Sequence, residues 1–165
     1  MASPNDASLM SALPAVLISA YVAWVAYQQY RTNREKLRLD LYDRRFSVYV
    51  AAIDFYHMLL GYDGNNQQHQ DAHRAFIKAV RESRFLFGPE SAIVSILEEM
   101  HVRTARITGF KDLPDGFSKS DPHEYQRLFQ AQQDDYLWIG GEQGLLRLEA
   151  ALMPFLDFRK ASSLR

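Results

Sequence analysis

The sequence predicts an all-α protein in which a single N-terminal transmembrane helix continues into a cytoplasmic bundle of about four helices. Three observations predict it. The stretch from Leu9 to Tyr30 is mostly apolar, and no Asp, Glu, Lys or Arg stands between Asp6 and Arg31. No Gly or Pro interrupts Ala15 to Leu60, so the helix has no reason to stop at the membrane surface. Beyond Leu60 the apolar residues recur at three- and four-residue spacing between breaks that carry Gly or Pro, without the alternation of a sheet. A chain of 165 residues, 47% hydrophobic and free of cysteine, has room for one domain. Disordered tails, disulfide scaffolds and cysteine nucleophiles are excluded, and a net charge of -1 does not suit a nucleic-acid-binding surface.

The domain reading follows: residues 1–8 as a short extracytoplasmic N-terminus, 9–30 as the span, and 31–165 as the cytoplasmic bundle. At about 1.5 Å per residue the span reaches across a hydrocarbon core of about 30 Å. A cleaved signal peptide fits less well. Its n-region would be MASPND, with an acid and no base, and no two small residues stand two apart between residues 2 and 30 as a cleavage site needs. After the span, Arg31, Arg34, Lys36, Arg38, Arg44 and Arg45 outnumber Glu35, Asp40 and Asp43. The positive-inside rule then places the N-terminus outside and residues 31–165 in the cytoplasm.

Tyr21, Trp24, Tyr27 and Tyr30 recur every third residue near the cytoplasmic end, where amphipathic rings sit at the headgroup level. Arg31, Arg34, Lys36 and Arg38 follow. They read either as a solvated face braced by pairs such as Arg31 with Glu35, or as contacts to anionic headgroups. Ser11, Ala15, Ser19 and Ala23 recur at i, i+4 and form a small-residue stripe that lets a second helix approach, although small residues are also common in such spans.

Leu39, Tyr42, Phe46, Tyr49, Ile53, Tyr56 and Leu60 form a seam of period 3.5, to be covered by later helices of the same chain or by another protomer. A Gly-bearing polar linker leads to a second helix over about 70–87, which ends at Gly88-Pro89. The third, over about 89–108, carries Ile93, Leu97, Met100, Thr104 and Ile107 on one stripe. A loop over 109–120 contains the turn Pro114-Asp115-Gly116. Asp121, Pro122 and Glu124 then supply the cap, first position and capping-box acid of a fourth helix. That helix runs through Trp138, bends at Gly140, Gly141 and Gly144, and resumes until Pro154 interrupts it.

Chemistry is sparsely marked. Asp54 with His57 and Glu98 with His101 repeat an acid-x-x-His spacing, and ferritin-like bundles hold paired metals with Glu-x-x-His motifs on two helices. Here one acid is Asp and no further pair of inward Glu is evident, so the preferred reading is polar residues flanking an apolar stripe. His69 and His73 stand four apart but lack the Glu of a zinc motif, and His123 belongs to a helix start. The Gly140–Gly144 run matches no phosphate loop. No cofactor and no catalytic constellation are predicted. The aromatics Phe85, Phe87, Phe110, Phe117, Phe155 and Phe158 read chiefly as core; the loop rings Phe110 and Phe117, where exposed, would anchor a partner, and the loop around Gly109–Ser120 and the basic juxtamembrane helix are the expected contacts.

The run Lys36-Leu37-Arg38-Leu39-Asp40-Leu41-Tyr42-Asp43-Arg44-Arg45-Phe46 after a membrane span, the Phe85-Leu86-Phe87-Gly88 turn and the closing Pro154-Phe155-Leu156-Asp157-Phe158-Arg159-Lys160 resemble a group of small, uncharacterised bacterial membrane-anchored proteins. The resemblance spans most of the chain. It implies an inner-membrane setting and a helical fold, and supplies no catalytic residue. The expected role is a membrane-anchored interaction or scaffold module that meets lipid through its N-terminal helix and binds a protein partner or itself. Two alternatives are a membrane-active oligomeric effector of stress or phage defence, and a di-metal bundle enzyme.

Overall fold

The uninterrupted helix-forming run after Ala15 becomes α1 (Pro4–Leu60), in a computed structural model that describes residues 4–62 and 66–156, with side chains from Val16 onward. The chain divides into two compact units, residues 1–41 and 42–165. In the described part of the first unit every residue is helical, and all but Val25 of Val16–Leu41 are exposed.

In the second unit the rest of α1 is followed by α2 (Gln67–Phe87), α3 (Ala92–Lys111), the single turn α4 (Phe117–Ser120), α5 (Pro122–Gly140) and α6 (Leu145–Leu156). Among the described residues there is no strand. The all-helical expectation holds. α2 begins at Gln67 because the Asn66 side chain accepts from the Gln68 amide, and α3 begins at Ala92 because Ser91 accepts from the Ile93 amide. Both starts differ by about three residues from those the sequence predicts. Asp121 accepts from the Glu124 amide with Pro122 in the first turn, as expected.

α3 is the hub, packed against α2, α5 and α6. Its stripe of Ile93, Leu97, Met100, Thr104 and Ile107 is buried as predicted. The α1 seam is displaced: Val48, Ala52, Phe55 and Leu59 are buried, while Leu39, Phe46 and Leu60 are exposed and Tyr49, Ile53 and Tyr56 lie at the core margin. The Tyr56 hydroxyl end lies against Gly140 of α5, and small Ala52 lets neighbouring helices close over this face. Two buried rings, Phe55 and Phe76, stack at 4.3 Å between α1 and α2. Pro154 does not end α6, which continues to Leu156.

The turn between α5 and α6 depends on glycine. A Cβ on Gly140 would come within 2.2 Å of the Tyr56 hydroxyl, and one on Gly144 within 2.2 Å of the Ile139 carbonyl oxygen. The Gly run thus allows close helix packing and a tight bend.

Candidate functional site

Two surfaces stand out, one in each unit. In the first, the side chains of Val16, Leu17, Ile18, Tyr21, Val22, Trp24, Tyr27 and Tyr30 are all more than half exposed. They point in every direction around the helix, so no polar face is left for water. On a helix, Trp24, Tyr27, Arg31, Arg34 and Arg38 follow at spacings of three and four and therefore share one side. Lys36 lies on another side. Arg31 approaches Glu35 only to 4.0 Å, with both side chains in water, a weak pair. Tyr21 and Trp24 are ring neighbours at 6.2 Å.

Among the described residues no helix is long and apolar enough to cross a membrane. This finding does not support the span expected over 9–30. The part whose side chains are described, residues 16–30, is about 22 Å long at 1.5 Å per residue and carries Gln28 and Gln29 just before Tyr30. The side chains of Leu9–Ala15 lie outside the described residues, as do Ser11 and Ala15 of the small-residue stripe, whereas Ser19 and Ala23 are on the exposed surface of α1.

In the second unit Phe85 is 91% exposed at the end of α2. It borders a cleft of about 460 Å³ with Arg44, Ser47, Lys78, Glu82 and Leu86. Phe87 instead packs edge-on to Phe155 at 5.2 Å, with the Arg45 guanidinium 5.8 Å and 5.2 Å from the two ring centres. Burial lowers the proton affinity of that guanidinium. Phe110 joins Tyr125 and Phe129, with ring centres 5.3 and 6.0 Å away. Phe117 is half-buried, and Phe158 lies outside the described residues.

The acid-x-x-His pairs do not converge on a metal. Among the described residues no group of three or more His, Asp or Glu is placed to hold an ion. Asp54 and His57 are exposed, lining an open cleft of about 680 Å³ with His69 and Asp71. Glu98 accepts from Arg84 Nε at 2.9 Å, and His101 turns toward Phe76. The i, i+3 spacing puts each pair on one helix side, but on α1 that side is not the core side.

Sequence reasoning missed the buried Asp135 of α5. Its carboxylate accepts from Arg103 Nη1 at 2.8 Å and from Arg106 Nε and Nη2 at 2.8 and 2.7 Å, tying α3 to α5. Arg103 also lies over the Trp138 ring at 4.4 Å and forms an ion pair with Glu99 at 2.7 Å. The hydrogen bonds that the Arg106 guanidinium donates to Asp135 hold its pKa above the ordinary range. A signal was present: Gln132, Asp135 and Ile139 share the inward stripe of α5, opposite an Arg-x-x-Arg on α3. A second omission is the cap on α1, where the Leu59 carbonyl accepts from Lys111 Nζ at 2.9 Å and Tyr136 Oη at 2.8 Å. Both networks brace the bundle, and neither opens onto a cleft described here.

Comparison with protein-family models, curated proteins and solved structures finds no match to the chain.

Proposed function

We propose that the chain is a single-pass inner-membrane protein, N-terminus outside, whose helical bundle serves as a non-enzymatic protein-interaction module at the cytoplasmic face. The observation that carries this reading is the exposure of apolar and aromatic side chains on all sides of α1 between Val16 and Tyr30. A helix packed on one neighbour keeps a polar side, whereas one that is apolar all round needs a nonpolar surrounding. The ring belt and the cations after it suit the cytoplasmic boundary, and the excess of positive charge supports that orientation. In the bundle, exposed Phe85 with Arg44 and Lys78 beside it has the character of a partner anchor: a rigid ring flanked by charge.

The test begins with alkaline carbonate extraction of bacterial membranes holding the full chain, followed by in-cell crosslinking and mass spectrometry of the tagged protein. Retention in the carbonate pellet with a stoichiometric foreign protein supports the reading. Release into the supernatant removes the anchor, and self-crosslinked species alone move the role to an oligomeric effector. Ser19 and Ala23 on the exposed surface of α1 favour that second reading. Replacing Ala15 and Ser19 with Ile would then weaken dimers in a membrane association assay.

A further inference from the structure

We infer that the stripe Trp24, Tyr27, Arg31, Arg34 and Arg38 is a contact site for anionic phospholipid headgroups, so that the anchor selects its lipid surroundings as well as being held by them. The inference rests on the membrane-anchor reading and adds a ligand class to it. Three features of the first unit carry it.

The first is geometric. The spacings three, four, three and four keep two interfacial rings and three guanidiniums in one line along α1, and all five side chains are exposed. Arg31 lies about 10 Å beyond Trp24 along the helix and Arg34 about 15 Å, at 1.5 Å per residue. Side chains on a helix lean toward its N-terminus, here toward the apolar segment. The guanidiniums therefore reach back to the headgroup layer while their carbon stems lie along the helix.

The second is charge. Between Arg31 and Leu41, where the first unit ends, Arg31, Arg34, Lys36 and Arg38 stand with two acids, Glu35 and Asp40, so four positive charges less two negative leave two. Glu35 touches Arg31 only at 4.0 Å, too weakly to neutralise it. The third is the chemistry of the fork. A guanidinium donates two parallel hydrogen bonds to a phosphate, which suits a phosphodiester headgroup better than a point charge does.

The full chain is reconstituted in vesicles holding equal fractions of phosphatidylcholine and phosphatidylglycerol, with one or the other brominated on its acyl chains. Quenching of Trp24 is read, with a Trp24→Phe chain supplying the background from Trp138, since the protein has two tryptophans. Each cation near the surface is worth about fivefold in affinity for anionic lipid, falling off within a Debye length of about 8 Å. The expected result is therefore quenching by brominated phosphatidylglycerol that exceeds the phosphatidylcholine signal at least about fivefold at low salt. That preference falls toward unity in the R31Q/R34Q/R38Q chain and at high salt, while quenching by brominated phosphatidylcholine persists. Equal quenching by the two lipids in the native chain overturns the inference and leaves the anchor intact, and so does a preference that survives the triple substitution. Quenching by neither lipid overturns both the inference and the anchor.

Discussion

Replacing Asp135 with Asn separates an electrostatic account of the α3–α5 contact from a purely apolar one. The native carboxylate is 2% exposed and accepts three charge-assisted hydrogen bonds from Arg103 and Arg106. Asn keeps one acceptor, turns a donor toward guanidinium N–H groups, and leaves two cations facing no anion at that position. Removing one partner from a fully buried pair costs about 3–5 kcal/mol. Here the Arg106 side chain is 50% exposed and regains water, while Arg103 keeps Glu99 and the Trp138 ring. The expected loss is accordingly reduced to about 2–3 kcal/mol. For a folding unit near 120 residues this lowers Tm by about 6–15 °C. Thermal unfolding of the full chain in mild detergent, followed by near-ultraviolet circular dichroism, measures it. Adding Arg106→Gln to the Asn variant should cost much less than adding it to the native chain, because its partner is already gone. A Tm drop under about 2 °C, or an undiminished Arg106→Gln effect in the Asn background, would refute the reasoning.

Three further perturbations probe other parts of the molecule. Gly140→Ala forces the Tyr56 ring aside and should destabilise the bundle by about 1–3 kcal/mol in guanidinium titration, with much of the loss recovered by adding Tyr56→Leu; no recovery would place the clash elsewhere. Burial, followed by the nearby charge of His101, lowers the pKa of His73, so the unfolded chain takes the proton first. The His73 contribution is thus fully present above about pH 6.5 and is lost as pH falls through the lower folded value; His73→Phe, which preserves the stack on Phe55, should flatten that part of the stability profile between pH 7 and pH 5. Phe85→Ser should change stability by no more than about 0.5 kcal/mol, since the ring is almost wholly in water, yet remove any foreign protein crosslinked to the native chain; an intact crosslink moves the partner surface away from α2.

Which parts of the molecule could be read from its residues depends on whether the deciding partner lies nearby in the chain. The start of α5 was legible because Asp121, Pro122 and Glu124 satisfy their own helix end, and the α3 stripe because five successive inward positions all carry residues compatible with a core. The seam of α1 was misplaced because its largest residues are tyrosines. Their rings are only half-buried against the core, while small Ala52 reads as neutral until the crossing helices are known. Asp135 reads as solvated until Arg103 and Arg106 are brought across from α3, and Leu59 reads as an ordinary helix end until Lys111 and Tyr136 arrive from two other elements. The stripe of Trp24, Tyr27, Arg31, Arg34 and Arg38 has the opposite character. Its spacing is fixed by the chain itself, but a helix face acquires a ligand only if no neighbour covers it, and exposure is a property of the fold. The same rings buried against α2 or α3 would be core; exposed beside an apolar helix, rings and arginines in one line have the chemistry of the proposed headgroup contact.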